Sequence, residues 1–573
     1  MTTHITTAKS TCRILASLLA AHGVTDVVVS PGSRNSPVIV ALAREGSLRL
    51  HPVIDERSAG FVALGISTVT SAPVAMVCTS GTALLNYAPA VAEAFYRKAP
   101  LIVISADRPQ EWIDQDDSQT LKQPGALGPW VKTTCDIPAT DDSDSAQSIR
   151  TAQWLADRLI NDALLTATTG RQAPVHINLQ LSAPLGTLTE AEEHPRVINM
   201  LTPRTDLTVA ESRRLGSSIA SPRKVLIVGG FHSPDQKLNK ALLRLADLPN
   251  VTIMAESVAN LHGPDIIHRI DTTLLALTRE EEESLHPDVI ITFGGALISD
   301  KCKRFLRKCK DAEHWHVGLS HTTIDCYRRL TLRVEMQPGM FFNQLASAMQ
   351  PHRTPCDYSA RWHEAAARGN RRQHDFVARI PWSDMRAFAY MVPRIPARWN
   401  VQLSNGTTVR YFQLFNTGVT HRCDCNRGVS GIDGCTSTAI GASVAYRNDV
   451  TLLITGDTCA AYDIGALGSS LITPRLKIVV ICNGGGSIFR FVASTAHLEE
   501  REQYLCMAPP LPLRQLAEGY GFSYFEAADE QQLAQEWEKF LTDNTRPAIL
   551  AVHTPAETGG DILRNYYERL ENH

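Results

Sequence analysis

Thr451-Leu452-Leu453-Ile454-Thr455-Gly456-Asp457 and, 26 residues beyond the aspartate, Asn483-Gly484-Gly485-Gly486 are the stretches from which the fold is read. The first is an apolar strand ending on Gly456-Asp457. Residues 477–482 form a second such strand, ending on Asn483, and a helix over 461–472 fits between them. Strand, helix and strand make one βαβ unit, in which both strands point the same way. As neighbours they lie about 4.8 Å apart, with Asp457 and Asn483 together at the carboxyl edge, where open α/β sheets bind ligands. A carboxylate, an amide oxygen and a carbonyl of the glycine turn are hard-oxygen ligands suited to Mg²⁺ beside phosphates. The glycines allow close backbone approach and offer N–H groups to phosphate oxygens. Taken alone, Gly-Asp and Asn-Gly are also common turn pairs.

The same alternation extends outward through the chain. Strands are expected at 26–30, 74–79 and 101–106, with helices over 56–69 and 82–96. Further strands are expected at 224–228, 251–255, 289–293 and 314–317, and the pattern returns after 386 with a last strand at 548–552. Polar stretches at 187–196 and 351–385 read as connectors. The expected class is α/β: three doubly wound parallel-sheet domains over 1–190, 197–350 and 386–573. In the middle one, Gly229-Gly230-Phe231-His232 lacks the spaced glycines of a dinucleotide fingerprint, which favours a structural domain.

With 573 residues, 44% apolar and 20% charged, the chain is ordinary for a globular protein. A net charge of −3 provides no general attraction for nucleic acid, so an anionic substrate needs a local cluster of Arg or Lys. Thirteen cysteines without a tight framework read as reduced thiols of a cytoplasmic protein. Cys423, Cys425 and Cys435 beside His421 lack the paired spacing of a zinc site, and core or loop thiols are the better reading. Ile14, Leu15, Leu18 and Leu19 have helical spacing and lead into a strand, so the N-terminus reads as a first domain helix rather than a targeting peptide. No apolar run reaches the length of a membrane span.

Gly-Asp followed by Asn and glycines at this spacing resembles the diphosphate and metal signature of thiamine-diphosphate enzymes. The resemblance implies that Asp457, Asn483 and the Gly485 carbonyl bind Mg²⁺ (or Mn²⁺) on thiamine diphosphate. Thr458 and Cys482 depart from the common pattern, but neither is one of these ligands. Asp55-Glu56-Arg57, followed by small residues and Ala-Leu-Gly, is similar to the family's activating-glutamate segment, and Thr79-Ser80-Gly81-Thr82-Ala83 to the segment after it. From position alone Glu56 could equally serve the helix dipole; the resemblance makes it the acid that bonds the cofactor's aminopyrimidine nitrogen. It further implies cofactor contacts from Thr79, Ile432 and Ile488. Acid and metal site would meet between subunits of a homodimer or homotetramer.

Ser30-Pro31-Gly32-Ser33-Arg34, Ala106-Asp107-Arg108-Pro109, Gln119 and the run from Asn426-Arg427-Gly428 to Gly434 resemble one branch of that family. That branch decarboxylates 2-oxoglutarate and adds the four-carbon unit to isochorismate in menaquinone biosynthesis. The implied substrate residues are Ser33, Arg34, Arg108, Gln119, Lys301, Arg410 and Arg427, with Lys303 and Arg304 as competitors of Lys301. The arginines are read as standing at strand ends or in glycine-rich turns; such guanidinium forks suit substrates rich in carboxylates. Gly406 stands where the family often has Ser, leaving Ser404 or Thr407 to supply that hydroxyl. The alternative is another carboligase or 2-oxoacid decarboxylase of the same family.

Overall fold

The computed structural model describes residues 5–571 except 140–144, 192, 204, 221, 350–354, 417, 419–421, 508 and 509. His421 thus lies outside the described residues. The chain forms two compact units. Met1–Pro203, Gly428–Asn448 and Asp463–Thr473 make the first; Arg204–Arg427, Asp449–Tyr462 and Pro474–His573 make the second.

The first unit holds a six-stranded parallel sheet in the order Arg49–Pro52, Asp26–Val29, Val74–Cys78, Leu101–Asp107, Val175–Gln180, Thr134–Ile137. Helix Ser10–Ala21 buries Ile14, Leu15, Leu18 and Leu19 against it, as their spacing requires. The expected connector at 187–196 is partly a strand: Leu188–Glu190 pairs antiparallel with Ile5–Thr7. The helix expected at 82–96 is two helices, Thr82–Asn86 and Ala88–Arg97. Helix Glu56–Thr70 packs backbone to backbone on Cys435–Ala445: a Cβ on Gly65 would stand 2.1 Å from the Thr438 carbonyl oxygen, and one on Gly441 2.0 Å from that of Val62.

The second unit holds two more parallel six-stranded sheets. One runs Ile266–Ile267, Val251–Ala255, Val225–Gly229, Val289–Phe293, Glu313–Val317, Leu330–Val334. Val225 and Ile227 enter the core on one face, Leu226 and Val228 that on the other, as a sheet covered on both sides demands. Its order is that of a dinucleotide-binding sheet, but the chain itself fills the switch-point crevice. A Cβ on Gly230 would meet the Gly295 carbonyl oxygen at 2.0 Å, and one on Gly295 the Phe231 ring at 1.8 Å.

The other sheet runs Arg422–Cys425, Asn400–Leu403, Thr451–Gly456, Leu476–Cys482, Ala548–His553, Ser523–Ala527, repeating the strand order of the first unit's sheet. The expected connector at 351–385 is largely the helix Tyr358–Arg379, whose buried Tyr358, Trp362, Ala365, Gly369, Gln373 and Phe376 recur every three or four residues. The helix expected at 461–472 is corrected too. A short helix, Asp457–Tyr462, follows the strand directly, and a 3₁₀ turn, Ile464–Gly468, comes next. Among the described residues no helix is long and apolar enough to cross a membrane.

Candidate active site

Two loop clusters, one in each unit, contain most of the sequence-predicted residues. In the second unit, Thr451–Gly456 and Leu476–Cys482 are parallel neighbours, with Gly456 opposite Ile481. Asp457 and Asn483 follow at the same edge. Asp457 Oδ2 accepts from the backbone N–H of Asn483 at 3.2 Å and of Gly485 at 2.9 Å; Oδ1 accepts from Thr458 N at 2.7 Å. Gly484, Gly485 and Gly486 have φ of 77°, 74° and 42°, and a Cβ on Gly486 would stand 2.6 Å from the Leu505 carbonyl oxygen. This left-handed run folds the turn around the carboxylate and is open only to glycine. Asn483 is buried and donates from Nδ2 to Asp384 Oδ2 at 2.8 Å and to Ser487 Oγ at 3.1 Å, so its Oδ1 is not used in these bonds. Ile488 follows, half-buried, in the short helix Ser487–Phe491.

Arg490, which sequence reasoning missed, is buried and donates to the carbonyls of Asn483, Gly484 and Gly485 while pairing with Glu502 at 2.9 Å. The Gly485 carbonyl keeps a second lone pair. Carboxylate, amide oxygen and carbonyl therefore fit a hard divalent cation, and the left-handed glycine turn fits a phosphate that must approach closely.

On the neighbouring strand ends, Asn405 donates to the Asn426 carbonyl at 2.7 Å and accepts from Arg427 Nη1 at 2.9 Å. Arg427 Nε is buried without a partner among the described residues. Thr407 Oγ1 lies 3.1 Å from Ser487 Oγ, whereas the Ser404 hydroxyl faces its neighbour's carbonyl. Arg410 is not at a strand end or in a glycine-rich turn as expected. It lies in the helix Thr407–Phe415, with Nη1 3.4 Å from both Asp300 Oδ2 and the Ile298 carbonyl oxygen. Lys301, one residue past Asp300, lines a cavity of about 170 Å³ with Arg304 and Lys308; no other predicted site residue lines it. Lys303 pairs with Asp300 at 2.9 Å. Glu256 accepts from Ile298 N and Ser299 N; burial pushes its carboxyl up to about 7, with these bonds and the Arg427 charge opposing. Nothing in the local sequence marks Glu256, Asp384 or Arg490.

In the first unit, helix Glu56–Thr70 begins at Glu56, and the residue before it does the capping: Asp55 Oδ1 accepts from Arg57 N at 2.9 Å and Ser58 N at 3.4 Å. Glu56, half-buried, is therefore not needed as the cap. Burial, with the Glu56 charge adding to it, pushes the Cys78 thiol well above its usual range. Ile432 lies in this unit, partly exposed, just before helix Cys435–Ala445.

Four strand ends of the first unit's sheet carry the remaining predicted residues. A Cβ on Gly32 would meet Thr79 Cβ at 2.4 Å, so those two loops touch; Ser33 is exposed next to Gly32. Arg108, buried, donates to Asp117 at 2.6 Å, Ser80 Oγ at 3.0 Å and the Gln119 carbonyl at 3.2 Å. Gln119 is exposed with φ of 55°, a left-handed conformation that is strained for a non-glycine residue. Arg34 donates to the Leu181 carbonyl at 2.7 Å; burial, then the neighbouring Arg108 charge, lower its pKa.

Both clusters lie largely within stretches that match known protein families. The family described as thiamine pyrophosphate enzyme, N-terminal TPP binding domain, matches residues 9–126, and its C-terminal TPP binding domain matches 408–552. A protein of Porphyromonas gingivalis, 2-succinyl-5-enolpyruvyl-6-hydroxy-3-cyclohexene-1-carboxylate synthase, is 36% identical over 569 residues, covering 98% of this chain and 97% of its own. Synthases of the same name from Flavobacterium johnsoniae and Bacteroides fragilis are 34% and 36% identical, each covering 97% of this chain and 98% of its own.

Proposed function

Because the chain belongs to the 2-succinyl-5-enolpyruvyl-6-hydroxy-3-cyclohexene-1-carboxylate synthases, thiamine-diphosphate enzymes of menaquinone biosynthesis, we propose that its two loop clusters bind 2-oxoglutarate, isochorismate and a metal-anchored cofactor. The reaction is decarboxylation of 2-oxoglutarate and 1,4-addition of the four-carbon unit to isochorismate. The observation that carries the metal site is the convergence of the Asn483 and Gly485 N–H groups on Asp457 Oδ2, which supports a glycine turn held against the carboxylate that would bind the cation.

When bound, thiamine diphosphate supplies the electron sink that 2-oxoacid decarboxylation needs. Asp457, Asn483 Oδ1 and the Gly485 carbonyl would hold Mg²⁺ or Mn²⁺ on its diphosphate. Glu56 would hold a proton at the aminopyrimidine nitrogen. Thr79, Ile432 and Ile488 would line the cofactor. Ser33, Arg34, Arg108 and Gln119, with Lys301, Arg410 and Arg427, would take the carboxylates of the two substrates and hold them at reacting distance. In this reading the protein is a cytoplasmic homodimer or homotetramer in which the Glu56 cluster of one copy completes the Asp457 cluster of another.

The test is carbon dioxide release from 2-oxoglutarate in thiamine diphosphate and Mg²⁺, with and without isochorismate. Turnover should depend on both substrates, and Glu56→Gln should lower it by ~10²-fold or more. Faster release from pyruvate would instead assign the chain to a different carboligation. If sites form between copies, mixing the inactive Glu56→Gln and Asp457→Asn variants should restore activity to about a quarter of wild type, since half the dimers then hold one intact site.

A further inference from the structure

Asp384 is a buried carboxylate with no part in the reaction described above. It opens the helix Asp384–Met391 and is 2% exposed. Both oxygens serve neutral donors outside that helix: Oδ2 accepts from Asn483 Nδ2 at 2.8 Å, and Oδ1 accepts from the Thr554 hydroxyl. Burying a carboxylate is costly even when it is bonded, and a helix N-terminus would be served as well by an exposed acid. The bond to Asn483 is what burial adds.

A side-chain amide has a donor end and an acceptor end of nearly the same shape, so its neighbours decide which way it faces. The other group at this amide, Ser487 Oγ at 3.1 Å, can donate or accept and so does not choose. A carboxylate can only accept. Turning the amide over would set Oδ1 against the Asp384 carboxylate and the NH₂ group towards the place of the cation, both repulsive. We propose that Asp384 is a positioning residue that locks the Asn483 amide with Oδ1 presented to the divalent cation. The proposal rests on the reading of Asp457, Asn483 and Gly485 as the metal ligands.

The experiment is titration of Mn²⁺ into protein saturated with thiamine diphosphate, following free Mn²⁺ by electron paramagnetic resonance. Asp384→Asn keeps size and hydrogen bonding but meets Asn483 equally well in either orientation. It should weaken Mn²⁺ binding about 10- to 100-fold, the usual effect of losing a group that orients a ligand. Turnover at saturating Mn²⁺ and the unfolding midpoint of the metal-free protein should stay near wild type. Wild-type affinity in the variant would overturn the inference, as would a lower midpoint with unchanged affinity. Failure of the wild-type protein itself to bind Mn²⁺ would instead overturn the metal-site reading. Should Asp384→Asn not fold, Thr554→Val, which frees the other carboxylate oxygen, decides the matter: weaker Mn²⁺ binding is expected, and unchanged binding refutes the lock.

Discussion

Arg108 shows how much the candidate site asks of a single side chain. Its guanidinium bonds Asp117, Ser80 and the strained Gln119 backbone, so it both shapes the loop and contributes charge beside Arg34. Lysine would keep the charge and lose the planar fork. Arg108→Lys should therefore raise KM for one of the dicarboxylate substrates by ~10-fold or more, since charge-assisted bonds contribute about 1.5–3 kcal/mol. The unfolding midpoint should move little, because Asp117 lies at the surface. Equal KM values for both substrates would remove Arg108 from the pocket. At this scale the sequence was legible where a motif fixed the residue, as at Arg108, Asp457 and Asn483. Asp384, Glu256 and Arg490 carry no motif: Asp384 bonds partners 99 and 170 residues away, Glu256 partners 42 and 43 away, and Arg490 partners 5–12 away.

Among the elements, the helices Glu56–Thr70 and Cys435–Ala445 cross backbone to backbone. The glycines at the crossing look like weak helix formers in sequence, yet each stands where another backbone leaves no room for a Cβ. Gly65→Ala should destabilise the protein by about 1–3 kcal/mol, because backbone cannot move aside as a side chain can. Gly519→Ala, with nothing within 4 Å of the added Cβ, should be neutral or slightly stabilising. Thermal or urea unfolding of the two variants tests the contrast; equal midpoints would refute it. Strands with continuous apolar runs were read from sequence to within a residue, as at Val251–Ala255 and Val289–Phe293. Val175–Gln180 was missed. It is fully buried, but His176, Asn178 and Gln180 make half of it polar, and those side chains bond Ser105, Asp107, Asp136, Gln123 and the Gln110 N–H from other segments. Helix Tyr358–Arg379 was hidden by its Arg and His content, although its apolar residues keep helical spacing.

Across the whole molecule, three buried imidazoles contribute to the response to acid. Burial pushes His176, His268 and His314 down to about 4, so each is neutral in the folded protein. The unfolded chain binds these protons near pH 6.5. Between about 6.5 and 4 these imidazoles leave the unfolded state holding more protons, a contribution that lowers stability as pH is lowered, while the buried carboxyls of Glu256, pushed up to about 7, and Asp463, pushed up to about 6, act in the opposite sense. Urea midpoints from pH 7.5 to 4.5 check this. His176→Gln should lessen the fall towards acid by up to about 1.4 kcal/mol per pH unit, whatever it does to the midpoint at pH 7.5, and an unaltered slope would clear His176 of the effect.

The sequence by itself determined the class, the parallel sheets and the two motif-bearing edges, because apolar strand runs and the Gly-Asp and Asn-Gly-Gly-Gly steps are local signals. Only the tertiary structure decided that the first and third sheets share one strand order while the middle sheet's crevice is closed by Phe231. It also decided that residues 428–448 pack with the first sheet's helices. The physical reason is the same in each case: strand order, backbone-on-backbone packing and the partner of a buried charge are set by groups far apart in the chain, and no short window of sequence contains both members of the pair.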